Sequence, residues 1–150
     1  MYMESINLYS LKLVREKEVL YASHQIIRSP QDIYLMLENI LKLSECANEV
    51  FGIICLTTKN AVAGIHVISI GILNSAIVHP REVFKAAILN NAASIICFHC
   101  HPSGDPTESS EDIAMTRRLL DSGIILGIDV LDHIIVGDGR FVSLQEKGLM

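Results

Sequence analysis

The chain has 150 residues, 50% of them hydrophobic, which is enough to bury one sizeable core, so we expect a single domain over residues 1–150. The formal net charge of −5, with Lys and Arg dispersed along the chain, argues against direct binding of nucleic acid, and no apolar run is long enough to span a membrane. Four cysteines without a secretory signal indicate reduced thiols and a cytoplasmic protein.

The predicted elements alternate between strands and helices. The first helix is marked by the helix-start signal Ser29-Pro30 and by apolar residues at helical spacing after it. The tripeptide Thr58-Lys59-Asn60 separates two apolar runs and predicts a tight hairpin. In chain order we expect a strand or hairpin over 7–21, a helix from Ser29-Pro30, strands over 49–57 and 61–72, a helix over 80–92, a strand over 94–100, a helix over 109–122 ended by Gly123, and strands near 125–136 and 140–144. This order predicts an α/β or α+β fold in which helices flank a mixed β-sheet.

The strand predicted over 94–100 is followed closely by two histidines with one residue between them. Side chains alternate between the two faces of a strand, so His99 and His101 emerge on the same side. Neutral imidazoles bind Zn²⁺ at about 2.0–2.1 Å. We therefore expect the two rings to converge on one metal ion.

A third ligand is available at the start of the next predicted helix. Ser109 and Ser110 are typical of a helix start, and Glu111 and Asp112 fall in the first turn. The preceding loop is short and contains two prolines and a glycine, so it can bring Asp112 back over the histidines. Three protein ligands leave one position for water, which is the arrangement of a catalytic zinc site.

The pattern His99-x-His101, seven residues, Ser109-x-x-Asp112 resembles the JAMM (MPN-type) metalloprotease motif position for position. The loop that starts at His101-Pro102 resembles the RadC branch of this group, and the resemblance covers roughly residues 10 to 149. Its other segments, in RadC order, are Thr58-Lys59-Asn60, Gly71-Ile72-Leu73-Asn74, His79-Pro80-Arg81-Glu82-Val83-Phe84 and Asp132-His133-Ile134-Ile135. The chain is therefore identified as a RadC-like JAMM/MPN domain, which implies a cytidine-deaminase-like fold.

The resemblance also implies a chemistry: a zinc-dependent hydrolase of peptide or isopeptide bonds that acts on a peptide or protein substrate through metal-activated water. In JAMM proteins a glutamate on an early strand is the general acid/base, and Glu49 resembles it, with Glu45 as the fallback. By the same resemblance, the Ser109 hydroxyl would stabilise the oxyanion. The Zn²⁺ ligands would be His99, His101 and Asp112.

Other interpretations of these residues compete with the metal site. Ser109-x-x-Asp112 alone is typical of a capping box, and capping can coexist with metal binding. Cys97-x-x-Cys100-His101 formally matches covalent haem attachment, but the chain shows no export signal. Cys100 stays open as a minor candidate ligand. A serine hydrolase triad is disfavoured because the chain lacks the G-x-S-x-G elbow.

The alternative function is a non-catalytic metal-binding interaction module in a RadC-like DNA-repair or mobile-element pathway. It stays open because of two departures from the family pattern: Cys100 stands where RadC relatives usually carry asparagine, and Thr57 stands where they usually carry aspartate. We expect the helix-hairpin-helix segment of full-length RadC proteins to be absent, and with it its contact to DNA. No membrane partner is expected, and homo-oligomerisation is left open.

We expect His133 to make a structural hydrogen bond, and its pairing with Asp132 could support the metal site from outside the ligand set.

Overall fold

The computed structural model describes residues 4–21, 27–71 and 78–150 of the chain. Within these residues the helices are α1 (Pro30–Leu41), α2 (Pro80–Leu89) and α3 (Ser110–Leu126), with a short 3₁₀ helix over Leu43–Glu45. The strands are β1 (Val50–Leu56), β2 (Val62–Ile70), β3 (Ser94–Cys100), β4 (Asp129–Val136) and β5 (Phe141–Ser143). Residues 72–74, which carry part of the family resemblance and the predicted end of a strand, lie outside the described residues.

The described strands form one mixed sheet in the order β2-β1-β3-β4-β5. β1 pairs antiparallel with both β2 and β3, β3 runs parallel to β4, and β5 returns antiparallel to β4. The parallel pair needs a long crossover connection, which α3 supplies. The predicted mixed sheet flanked by helices is confirmed, and it is consistent with the JAMM/MPN fold.

The two faces of the sheet are covered by different helices. One face packs against α2 and α3, where Cys97 of β3 meets Phe84 and Leu119 in a buried cluster. The other face packs against α1, where Phe98 and Leu37 belong to a second cluster. Because alternate residues of β3 belong to opposite faces, the strand is buried on both sides, as expected for a central strand with a continuous apolar run.

The predicted strand or hairpin over 7–21 is wrong. These residues adopt no regular secondary structure, and apolar side chains such as Leu8 and Leu20 are almost fully exposed. A strand is stable only when a neighbouring strand pairs with it and one of its faces is buried. Apolar alternation alone therefore did not predict this segment correctly.

The predicted end of the site helix at Gly123 is also wrong, because α3 continues to Leu126 and Gly127 caps it with φ 70°. Gly123 is buried inside the helix, and a Cβ there would lie 2.4 Å from the carbonyl oxygen of Ile128. Glycine at this position therefore permits the chain to turn closely back over the helix, rather than ending it.

None of the helices in the described part of the chain combines the length and the apolar composition needed to cross a bilayer.

Candidate metal centre

The two predicted histidine ligands lie together where β3 ends. As strand alternation predicts, His99 and His101 share a face, and their ring centroids are 4.8 Å apart. The His99 side chain is fully buried, whereas the His101 side chain keeps 15% of its surface exposed. The pair therefore forms a pocket wall that solvent reaches from the His101 side.

The loop after His101 is held against the turn between β4 and β5. Gly104 adopts φ 82°, and its carbonyl oxygen accepts a hydrogen bond from the Asp138 N–H at 2.8 Å. A Cβ on Gly137 would lie 2.4 Å from the same Gly104 oxygen, so this close approach requires glycine. The loop also orients a ligand, because His101 Nδ1 lies 2.8 Å from the carbonyl oxygen of Asp105.

Asp112 lies in the first turn of α3, and its carboxylate has two sets of contacts. Ser109 is the N-cap: its hydroxyl accepts from the Asp112 N–H at 3.1 Å, and Asp112 Oδ2 accepts from the Ser109 N–H at 2.8 Å. The same carboxylate faces the histidines, with Oδ1 3.2 Å from His99 Nε2 and Oδ2 3.5 Å from His101 Nε2. Capping and a position beside the histidines coexist in one side chain.

His99, His101 and Asp112 offer ligand atoms that all lie within 4.8 Å of one another, and the described residues contain no second such group. The two Nε2 atoms are 2.9 Å apart. A tetrahedral centre with bonds of about 2.0–2.1 Å separates its ligand atoms by about 3.3 Å. The nitrogens are 2.9 Å apart, and those of His99 and His101 lie 3.2 Å from Oδ1 and 3.5 Å from Oδ2 of Asp112, respectively, distances close to that value. This group could therefore hold a divalent metal ion.

The ionisation of these groups also suits a cation. Burial raises the pKa of Asp112, but hydrogen bonds with His101 and His99 lower it by more, and the resulting pKa is far below the usual range. The hydrogen bond to Asp112 raises the pKa of His101 against the opposing effect of burial. Asp112 is therefore an anion at neutral pH, and a proton or a metal ion next to it is favoured.

Glu49, the predicted general acid/base, lies next to this group. It immediately precedes β1, which pairs with β3 so that Phe51 is opposite His99. Extending this antiparallel register by two residues brings Glu49 opposite His101, on the face that carries Phe51. The charge of Glu49 is one of the smaller causes that raise the pKa of His101, which agrees with this position. The fallback Glu45 lies exposed in the 3₁₀ helix. The catalytic role of Glu49 stays a prediction.

Ser109 is exposed at the start of α3, beside Asp112. Its oxygen accepts the Asp112 N–H, so the hydroxyl proton can be donated to a further group. This arrangement is compatible with the predicted oxyanion role, which stays a prediction.

A third histidine, His133 on β4, lies behind the predicted ligands and is fully buried. Its Nε2 is 2.8 Å from His99 Nδ1, and its Nδ1 is 2.6 Å from the Thr116 hydroxyl. Burial lowers the pKa of His133 well below its usual value, so the ring is neutral. The expected partner Asp132 accepts a hydrogen bond from the His133 backbone N–H, and the ring nitrogens are held by His99 and Thr116 instead.

Thr116 is the residue of this site that sequence reasoning missed. It lies one helical turn after Asp112, and the i, i+4 spacing places the two on the same face of α3. The i, i+4 spacing was the only signal in the sequence that Thr116 could lie near Asp112. Its contact with His133 depends on β4, which is distant from α3's first turn in sequence but pairs with β3 in the sheet.

The cysteines lie outside this arrangement. Cys100 belongs to the cluster under α1, where its thiol donates to the Asn48 carbonyl oxygen at 3.6 Å. Burial raises the pKa of Cys100 to about 11, which disfavours the thiolate that a metal ligand requires. All four cysteines of the chain are free thiols.

The family model described as a RadC-like JAB domain matches residues 27–149. A UPF0758 protein of Desulfitobacterium hafniense is 56% identical over 126 residues, covering 83% of this chain and 54% of the relative. A UPF0758 protein of Moorella thermoacetica is 50% identical over 141 residues, covering 94% of this chain and 61% of the relative. A UPF0758 protein of Methanosarcina barkeri is 51% identical over 122 residues, covering 81% of this chain and 52% of the relative.

The alignments cover between 52% and 61% of the length of these three relatives, so the chain spans little more than half of each. In the other direction, the family model and the relatives cover most of this chain. The chain belongs to the family of proteins with a RadC-like JAB domain.

Proposed function

We propose that this chain is a zinc-dependent hydrolase of peptide or isopeptide bonds. One observation carries the proposal: two imidazole nitrogens and a carboxylate converge at the end of β3, and a glutamate lies beside them just before the neighbouring strand β1. Three ligands of this type with an adjacent carboxylate are the parts that hydrolysis at a metal centre needs.

His99, His101 and Asp112 would hold the ion, since imidazole and carboxylate suit zinc and first-row metals in general. A Zn²⁺ ion held by these residues would supply Lewis-acid chemistry, with a pKa of about 7 for the attacking water and polarisation of a carbonyl group. The low pKa of Asp112 means that this ligand needs no deprotonation before it binds the cation.

Glu49 would move the proton. A carboxylate opposite His101 can accept a proton from the attacking water and deliver it to the leaving amine, which is general acid/base catalysis of about 10²- to 10⁴-fold. The Ser109 hydroxyl would donate a hydrogen bond to the substrate oxygen on which negative charge develops.

The proposed substrate is a peptide or a protein. The net charge of −5 offers little attraction to a phosphate backbone, so we propose no direct contact with nucleic acid. The four free thiols agree with a reducing, cytoplasmic setting.

The test combines elemental analysis of the purified protein with release of fluorescence from a quenched peptide pool. The variant Glu49→Gln removes the proton acceptor and keeps the shape of the side chain. Glu45→Gln is the matched control, because it removes an exposed carboxylate four residues away. We expect one equivalent of zinc in all three proteins, and an activity loss of about 10²- to 10⁴-fold in Glu49→Gln only.

Zinc binding with no turnover that depends on Glu49 contradicts the hydrolase and favours the non-catalytic module of a DNA-repair or mobile-element pathway. Protein that stays free of metal in excess zinc contradicts the whole proposal.

A further inference from the structure

The buried imidazole of His133 has no role in the proposed hydrolysis, yet both of its nitrogens are engaged. It lies between His99 Nδ1 at 2.8 Å and the Thr116 hydroxyl at 2.6 Å. The ring is fully buried and packs edge-on against Phe51, with centroids 5.8 Å apart. These contacts fix the position of the ring, so the remaining question is which nitrogen carries the proton.

The Thr116 hydroxyl answers that question. It has a single proton, and it donates that proton to the Asp112 carbonyl oxygen at 2.7 Å. Toward His133 it can then act only as an acceptor, so His133 Nδ1 must carry the hydrogen. The Nε2 atom of His133 is left with its lone pair.

The tautomer of His99 follows from that of His133. Because His133 Nε2 is an acceptor, His99 Nδ1 must donate to it across 2.8 Å. His133 therefore favours the His99 tautomer with the proton on Nδ1. A cation bound at this site would take the place of the hydrogen bond between His99 and Asp112, and Nε2 would offer its lone pair to that cation.

His101 reaches the same state by a simpler route. Its Nδ1 faces the Asp105 carbonyl oxygen at 2.8 Å, and a carbonyl can only accept. His99 has an imidazole as its partner, and an imidazole can donate or accept. The tautomer of His99 therefore depends on what lies behind His133.

We propose that His133 and Thr116 are positioning residues that hold His99 in its Nδ1–H tautomer and so set the affinity of the His99–His101–Asp112 group for a divalent cation. This inference rests on the metal site of the proposed function, and it is independent of whether the site hydrolyses anything. We call this series of hydrogen bonds, from the Asp112 carbonyl through Thr116 and His133 to His99, the histidine relay. It starts and ends on predicted ligands, so it couples α3 to β3.

The first test reads the tautomers directly in the unaltered protein. Long-range ¹H–¹⁵N NMR of the imidazoles, in protein loaded with Zn²⁺, distinguishes a protonated from a lone-pair nitrogen. We expect the proton on Nδ1 in both His133 and His99. A proton on Nε2 of His133 in the loaded protein overturns the relay, whatever the activity.

The second test measures the Kd for Zn²⁺ by competition with a chelator. Thr116→Val keeps the shape of the side chain and removes the hydroxyl, and His133→Leu removes the acceptor of His99. Loss of such outer partners typically weakens metal binding by about 10- to 100-fold, and we expect Thr116→Val near the lower and His133→Leu near the upper end.

Two rescue variants and one control separate positioning from packing. Thr116→Ser restores the hydroxyl, and His133→Gln offers an amide oxygen to His99 and an amide N–H to Thr116, so both should bind Zn²⁺ within about threefold of the unaltered protein. His66→Gln is the control, since His66 is a partly buried histidine on β2, which β1 separates from β3.

An unchanged Kd in Thr116→Val overturns the proposal, and so does a loss in Thr116→Ser as large as that in Thr116→Val. Protein that binds no divalent cation also overturns it. Conversely, a relay with the expected tautomers and Kd values in a protein without peptidase activity overturns only the proposed hydrolysis.

Discussion

Two helices of this protein start with the same local chemistry and differ in what surrounds them. α1 and α3 each begin with a capping box, Ser29 with Asp32 and Ser109 with Asp112, in which serine and aspartate exchange hydrogen bonds with the other's backbone N–H. The bond lengths are similar, 3.0 and 3.2 Å in α1 against 2.8 and 3.1 Å in α3. Nothing within either tetrapeptide distinguishes a cap from a metal ligand.

The difference lies on the sheet. α1 packs against the face of β3 that carries Ile96 and Phe98, and within the described residues the Asp32 carboxylate accepts hydrogen bonds from backbone N–H groups and contacts no histidine. α3 packs against the opposite face, which ends in His99, and the Asp112 carboxylate lies over it. Asp112 is buried and Asp32 is half-buried. A capping aspartate becomes a candidate ligand only where the tertiary structure brings basic nitrogens to its second oxygen.

The largest expected effect comes from Asp112→Asn with Asp32→Asn as its matched control. Asparagine still accepts a hydrogen bond at either helix start, so each cap survives, but the anionic ligand is lost in Asp112→Asn. We expect zinc affinity to fall by more than about 100-fold in Asp112→Asn, beyond the loss seen for outer partners, and to be unchanged in Asp32→Asn. Chelator competition measures both values. Equal zinc affinities in the two variants would break the distinction between the two boxes.

The next effect is on stability. Zinc at 100 times its Kd should raise the free energy of unfolding by about 2.7 kcal/mol, because it binds the folded protein and the site is absent in the unfolded chain. Urea unfolding with and without zinc measures this. The gain should vanish in Asp112→Asn and persist in Asp32→Asn, and persistence in both would place the zinc elsewhere.

The pH dependence of the metal-free protein gives a smaller effect. Folding raises the pKa of His101 and lowers that of His133, and the ordinary value of both is 6.5. Above pH 6.5 the folded protein holds a proton on His101 that the unfolded chain has lost, so stability falls as pH rises through the raised pKa. Below pH 6.5 the unfolded chain protonates His133 and the folded protein does not, so stability falls as pH drops, by at most about 1.4 kcal/mol per pH unit.

Stability of the metal-free protein should therefore be greatest near pH 6.5, as measured by urea unfolding at a series of pH values. Asp112→Asn removes the main cause of the raised His101 pKa, so the decline above pH 6.5 should flatten in this variant. Asp32→Asn should keep the decline. A profile that rises steadily from pH 6 to pH 8 would contradict these shifts.

The smallest effect concerns the caps themselves. Ser29→Ala and Ser109→Ala should each cost about 1 kcal/mol of stability in the metal-free protein, since each removes one acceptor at a helix start. Thermal unfolding compares the two variants. Only Ser109→Ala should also reduce peptide hydrolysis, and an equal loss of activity in both variants would argue against the oxyanion role of Ser109.

Much of this protein follows from the order of its residues. The spacing of apolar residues predicted α1 and β3, and the turn at Thr58-Lys59-Asn60 predicted the β1–β2 hairpin. The two histidines share a face because side chains alternate along a strand with a fixed period of two. Each helix cap involves only four consecutive residues. Such features involve interactions between near neighbours, so the local sequence determines them.

The tertiary structure decided the rest. It left residues 7–21 without a strand partner, it carried α3 past Gly123, and it turned Asp112 toward His99 and His101, whereas Asp32 contacts no histidine of the described residues. It also joined Thr116 to His133, whose separation along the chain hides their contact. The parallel pairing of β3 with β4 and the packing of α3 on the sheet set these contacts, and both depend on interactions between distant segments that no local pattern encodes.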